Sequence, residues 1–218
     1  FIRLSKRIGS GRVVWRFDPL VLTERITVDN LLERIRNIGD RIAPFTERMV
    51  FSFVDIEKYG KVRRNLARQG FSGAREFSDN EAAEFCNGLA GLNERWGLSL
   101  SACSERRDLS AYGIGRGQCI SYDLIAKEFS NDPVLMEFLH PPGQQTLSIT
   151  KDPLRRLKDP GQRSACRCIV SKDIGQYSTC PHLCAYCYAN TSPAVVLRRF
   201  ARHCADRDAG IVHDSIVG

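Results

Sequence analysis

Short apolar runs alternate along the chain with polar stretches of helical period, and this alternation predicts the fold class. Val13-Val14-Trp15-Arg16-Phe17-Asp18-Pro19-Leu20-Val21-Leu22 reads as a buried strand that ends at a polar rim. Leu31, Leu32, Ile35, Ile38 and Ile42 then recur at helical spacing, with Thr27 or Asp29 placed to cap that helix. Met49 to Ile56 is apolar enough for a second strand covered on both faces, as in a parallel sheet, and Asp55 lies at its end. Residues 58–69 predict a basic helix with Val62 and Leu66 inward. Ser78 and Glu81 have the spacing of a capping box and open a helix toward Trp96, with Phe85, Leu89 and Leu92 on one face and Gly97 as its stop. Leu98 to Cys103 is a third strand. Strand, helix, strand, helix, strand implies an α/β fold with a parallel sheet, open or barrelled.

The pattern loosens from about residue 105. Residues 121–129 predict a short helix. Residues 131–163 hold five of the nine prolines and read mostly as loop. Residues 166–190 form a cysteine-rich loop, after which Ser192-Pro193 supplies a cap and a first-turn proline for a helix to about Cys204. The expected organisation is an α/β portion over 1–130, a loop-rich connection over 131–165, and a cysteine-rich segment with a terminal helix over 166–218.

Composition narrows the function classes. Of the 218 residues, 43% are hydrophobic and 26% charged, the balance of an ordinary globular domain or a large part of one. The longest apolar runs, such as Ala194-Val195-Val196-Leu197, fall far short of the roughly 18 residues a membrane span needs. The start at Phe1 predicts residues missing upstream. Nine cysteines, five of them between 166 and 187, are an odd number in a chain too long for a typical disulfide scaffold. They read better as metal ligands, which implies a reducing, cytoplasmic setting. The net charge of +7 is either solvated surface or the footprint of a polyanionic partner.

The cysteines are spaced Cys166-x-Cys168-x11-Cys180-x3-Cys184-x2-Cys187. Zinc would usually take paired knuckles, here Cys166/Cys168 with Cys184/Cys187, and would leave Cys180 without a role. Three thiolates within eight residues can instead hold three irons of a [4Fe–4S] cube and leave the fourth open. The spacing C-x3-C-x-aromatic-C at Cys180, Cys184, Tyr186 and Cys187 resembles the signature of the radical S-adenosylmethionine enzymes. That resemblance implies a [4Fe–4S] cluster on Cys180, Cys184 and Cys187. It also implies S-adenosyl-L-methionine on the open iron, a substrate-activating 5′-deoxyadenosyl radical, and an electron donor such as flavodoxin or ferredoxin. Tyr186 would pack on the cluster or on adenine. In that superfamily the motif follows the first strand of a TIM-barrel-like fold. Here it lies near the C-terminal end, so the resemblance implies a partial, circularly permuted barrel in which residues 169–204 run strand, cysteine loop, helix.

The whole chain resembles domain-of-unknown-function family 1848, a prokaryotic family with such a cluster at its C-terminus. The matching stretches are Val14-Trp15-Arg16-Phe17-Asp18-Pro19, Phe51-Ser52-Phe53-Val54-Asp55, Cys166-Arg167-Cys168 and Asp173 through Asn190. The resemblance implies an N-terminally truncated member, and it includes Cys103 and Cys119. These two, with Cys166 and Cys168, supply four thiols for a second cluster or a zinc site, whereas Cys86 and Cys204 fall inside helices and read as structural.

Arg16 and Asp18 stand at the end of a strand, where α/β proteins gather their sites. They are candidates for contact with substrate or cofactor, or for a buried ion pair. Asp55 and Glu105 are weaker candidates of the same kind. His182 reads as an exposed bystander. Lys58, Lys61, Arg64 and Arg68 form a basic helical stripe, and Arg155, Arg156, Lys158, Arg163 and Arg167 lead into the cysteine loop as candidates for phosphate. Two functions fit these residues: an iron–sulfur enzyme of the radical S-adenosylmethionine type with an unknown substrate, or a zinc- or cluster-stabilised nucleic-acid-binding module without catalysis.

Overall fold

A computed structural model describes residues 1–140, 157–172 and 174–214. The chain divides into two compact units: Phe1–Val54 with Glu76–Ser171, and Asp55–Arg75 with Lys172–Gly218.

The first unit is built on a mixed α/β core. Its strands are β1 (Trp15–Leu20), β2 (Arg48–Phe53), β3 (Ser99–Cys103) and β4 (Gly115–Gly117). They are parallel and lie side by side in the order β1-β2-β3-β4. The three strands expected from the sequence are all present, each slightly shorter than expected. Strand β4 was invisible to the apolar pattern because its sequence is Gly-Arg-Gly, and it exists through pairing with β3. Pro19, which offers no N–H, is accommodated because β1 lies at the edge of this sheet.

The helices are α1 (Ile2–Ile8), α2 (Val28–Ile42), α3 (Gly60–Arg68), α4 (Asp79–Asn93), α5 (Tyr122–Glu128), α6 (Pro133–Leu139) and α7 (Pro193–Asp208); α3 and α7 belong to the second unit. Local chemistry starts them. Thr27 caps α2 and Asn30 returns the bond to the Thr27 amide, so Asn does the work more often given to Glu. Ser78 and Glu81 close the expected capping box on α4. Helix α6 lies inside the stretch expected to be loop. Asp132 accepts from the Val134 and Leu135 amides and Pro133 occupies the first turn, the one helical place where proline costs nothing. The rest of that loop, residues 141–156, lies outside the described residues. The strand expected from about residue 169 is reduced to an isolated antiparallel bridge, Lys158 with Ile169.

Side chains alternate between the two faces of a strand. Trp15, Met49, Phe51, Leu100 and Ala102 share one face and are buried with Leu31 and Ile35 of α2 and Ala82, Phe85 and Leu89 of α4. Phe51 meets Phe85 edge-on with centroids 5.4 Å apart, and Trp15 meets Trp96 at 5.8 Å. The intervening positions, Arg16, Asp18, Ser52, Ser101 and Cys103, therefore point to the opposite face. Among the described residues no helix is long and apolar enough to cross a membrane.

Two positions test this packing. A Cβ added at Gly39 would lie 2.4 Å from the Trp96 ring, so Gly39→Ala must displace an indole that also donates to Asp40 at 3.0 Å. We expect a loss of about 1–3 kcal/mol, read as a lower thermal midpoint with red-shifted tryptophan emission. Burial inside α4, reinforced by the charge of Glu105, pushes the Cys86 thiol up to about 12 from 9.0. The fold favours the neutral thiol, so this stability is complete below pH about 9 and is lost as pH rises from there toward 12. The urea midpoint should fall more steeply over that range in wild type than in Cys86→Ala.

Candidate metal centres

Four of the predicted ligands, Cys103, Cys119, Cys166 and Cys168, meet in the first unit. Cys103 closes β3 and Cys119 follows β4. The two strands pair Cys103 with Gly117, so Cys119 comes back one step beyond it. The approach requires glycine: a Cβ at Gly117 would lie 2.9 Å from the Ala102 carbonyl oxygen and 3.1 Å from the Cys103 Cα. The Cys166–Cys168 segment is fastened to the same place by its backbone. The Ile169 amide donates to the Ile120 carbonyl at 3.1 Å, Val170 to Leu157 at 2.8 Å, and Asp159 to Cys168 at 3.0 Å. Leu139, Leu157 and Ile169 form a small apolar cluster behind it.

The sulfurs form a chain of contacts. Cys103 Sγ and Cys119 Sγ are 3.4 Å apart. The Cys119 amide donates to Cys168 Sγ at 3.1 Å, and the Cys168 amide donates to Cys166 Sγ at 3.5 Å. Arg16 spans the group: one nitrogen donates to Cys119 Sγ at 2.6 Å and another pairs with Asp18, which Ser52 approaches at 3.5 Å. The Arg16–Asp18 ion pair read from the sequence exists, partly exposed rather than buried, and the other edge of the guanidinium meets Cys119. Alternation along β1 puts Arg16 on the face opposite Trp15 and Phe17, and the strand order decides what it meets there.

These contacts set the charges. Hydrogen bonding with Cys119, helped by Arg16, holds Cys103 down to about 6. Hydrogen bonding with Cys119 likewise holds Cys168 down, to about 5. Cys119 itself is raised, chiefly by its contacts with Cys103 and Cys168. Burial raises Cys166. Burial opposes the charge on Arg16, but Asp18 and then Cys119 outweigh it and keep the guanidinium firmly protonated. Among the described residues, no three or more His, Cys, Asp or Glu side chains already surround a common metal position. The thiols lie in a linked row rather than a closed shell.

The second unit carries Cys180, Cys184 and Cys187 on the loop that enters α7. Cys180 and Cys184 are exposed and Cys187 is half-buried. The loop is pinned at its ends. Ser178 Oγ accepts from the Thr191 amide at 3.0 Å and contacts Thr191 Oγ1 at 2.8 Å, while the Ser178 amide donates to Ala189 at 3.3 Å. Ser178 and Leu183 adopt left-handed backbone with φ of 61° and 50°, and the Cys187 amide donates to the Cys184 carbonyl at 3.0 Å. Helix α3 braces the other side: Lys61 donates to the Tyr188 carbonyl at 2.6 Å and Asn65 to that of Cys187 at 2.9 Å. The predicted basic stripe is therefore partly a clamp, and Lys58 pairs with Asp55 at 3.2 Å. A cavity of about 230 Å³ is lined by Cys184, Cys187, Asn65, Arg68 and Asn190. Asn190 donates to the Cys180 carbonyl at 3.0 Å, and its own oxygen is, among the described residues, a buried acceptor without a partner. Sequence reasoning passed over Asn65 and Asn190.

The remaining candidates divide between the two units. Glu105 accepts from the Arg106 and Arg107 amides at 2.7 and 2.8 Å and pairs with the Arg107 guanidinium, so it is committed to a local turn. Tyr186, Tyr188 and His182 are exposed. Cys86 lies in the core and Cys204 is half-buried in α7. Arg155 and Arg156 lie outside the described residues.

A family model described as a domain of unknown function, DUF1848, matches residues 1–189, and the chain belongs to that family. No curated protein and no solved structure matches the chain.

The clamp on the triad loop can be tested alone. Asn65→Ala removes the bond to the Cys187 carbonyl, a net contribution of about 0.5–1.5 kcal/mol to that loop. Amide hydrogen exchange should quicken over residues 180–191 and stay unchanged in β2 and α4.

Proposed function

We propose that this member of the DUF1848 family is an iron–sulfur protein of the radical S-adenosylmethionine type. Cys180, Cys184 and Cys187 would hold a [4Fe–4S] cluster, and the substrate is unassigned. The observation that carries this reading is the triad's setting. Three thiols sit on one pinned loop, and two of them, Cys184 and Cys187, line a cavity together with Asn65, Arg68 and Asn190. A donor set of three cysteines, two of them exposed, suits a cluster that must keep one iron open. When bound, such a cluster supplies an open coordination position and one electron for cleavage of the S-adenosyl-L-methionine sulfonium.

The chain's own residues would do the rest. The Ser178–Thr191 bonds hold both ends of the loop, so the three thiolates stay on one short arc. Lys61 and Asn65 fix the backbone carbonyls of Tyr188 and Cys187 and leave the Cys187 sulfur its freedom to ligate. Arg68, on the cavity wall, would face a carboxylate. Tyr186, exposed beside Cys187, would stack on a ring. The sequential parallel order of β1 to β4, with no reversal point, supports reading the sheet as an arc of a TIM-barrel-like fold, since doubly wound sheets reverse their order. A flavodoxin or ferredoxin would deliver the electron, in a reducing cytoplasmic compartment.

Anaerobic reconstitution followed by iron and sulfide counting tests the proposal. We expect Cys184→Ala to abolish the cluster of the triad and Cys204→Ala to retain it. The electron paramagnetic resonance signal of the reduced wild-type protein should change when S-adenosyl-L-methionine is added. Zinc in place of iron on the triad, with nucleic acid bound tightly, would instead identify a metal-stabilised binding module.

A further inference from the structure

The row of thiols in the first unit is unused by that function, and its geometry selects a metal. We propose that Cys103, Cys119, Cys166 and Cys168 form a tetrathiolate site for one zinc ion, separate from the triad and structural in role.

Sulfur spacing is the first argument. Four thiolates at about 2.3 Å from one tetrahedral zinc lie about 3.8 Å from one another. The observed Cys103–Cys119 separation of 3.4 Å is within a few tenths of an ångström of that edge and well beyond bonding distance for a disulfide. Cysteines of an iron–sulfur cube sit outside different corners and diverge, so two sulfurs in van der Waals contact do not suit it. Cys166 and Cys168 are also too close in sequence to spread around a cube with ease, yet they make a tight bite on a single ion.

The surrounding donors are the second argument. Backbone amides of Cys119 and Cys168 point at Cys168 Sγ and Cys166 Sγ, which is how peptide N–H groups support metal thiolates. Zinc with four thiolates carries two negative charges, and Arg16 lies directly on Cys119 Sγ to offset one of them. Asp18, held by Arg16, orients that guanidinium.

The third argument is what the site would tie together. Its ligands come from the end of β3, the turn after β4 and the Cys166–Cys168 segment; β3 and β4 are paired strands, and the third piece is otherwise held by a few amide bonds and a small apolar cluster. The described thiols form a row, and closing it into a shell requires side-chain rotation about Cβ with the backbone already fastened. Motif spacing does not reveal the site, because no pair among the four has the C-x2–4-C form of a zinc knuckle.

The test uses the full chain, purified anaerobically under reducing conditions, with zinc and iron measured per chain. We expect one zinc per chain in wild type and in the Cys180→Ser/Cys184→Ser/Cys187→Ser variant, and its loss in Cys166→Ser/Cys168→Ser. Because loss of ligands can unfold the protein, wild type is also pulse-alkylated and mapped by mass spectrometry before and after a zinc chelator. Chelation should speed alkylation of Cys103, Cys119, Cys166 and Cys168 about tenfold or more and leave Cys204 unchanged. Cobalt substituted for zinc should show the absorption of a tetrahedral tetrathiolate. Zinc that disappears with the triad, iron retained by the four cysteines, a Cys103–Cys119 disulfide, or alkylation indifferent to the chelator would each overturn the assignment. Loss of iron from the triad alone would refute the cluster proposal and leave this one standing.

Discussion

The pleat of a parallel sheet sends neighbouring side chains to opposite faces, and helices α2 and α4 bury one face of β1, β2 and β3. Trp15, Met49, Phe51 and Leu100 must go under the helices, since burial of such side chains contributes on the order of 1.5–3 kcal/mol each. Their partners in the alternation, Arg16, Asp18, Ser52 and Cys103, are then committed to the other face. A one-residue slip of β1 would bury Arg16 and expose Trp15. The register that builds the core therefore also builds the polar, sulfur-bearing face.

On that face the chemistry is set by one cation among thiols. Arg16 holds Asp18 with one nitrogen and Cys119 with another, and Cys119 stands between Cys103 and Cys168. A guanidinium is suited to this because its donors are rigidly forked and it stays charged when partly buried. The row of sulfurs depends equally on an absence, the missing side chain of Gly117, which lets β4 lie against β3 closely enough to return Cys119 to Cys103.

The triad of the second unit follows a different logic. Its three cysteines are neighbours in sequence, and the loop needs only its ends fastened and its backbone braced. Ser178 with Thr191, and α3 through Lys61 and Asn65, do this. One cysteine group is thus assembled by local sequence and steadied by contacts, and the other is assembled by contacts alone.

That difference governs what was legible beforehand. The chain by itself determined the strands β1 to β3, the capped helices α2, α4, α5 and α7 and the compact spacing of Cys180, Cys184 and Cys187, because each rests on periodicity or on chemistry within a few residues. It named the four other cysteines and Arg16 as candidates without placing them. Helix α6 was hidden by the prolines around it, β4 by its glycines, and Asn65 by belonging to no motif. Tertiary structure alone decided that Arg16 meets Cys119, that Cys103 touches Cys119 and that Asn190 keeps an unpartnered oxygen, because these depend on strand order and on segments 16 to 103 residues apart in the chain closing on one another, which no local pattern encodes.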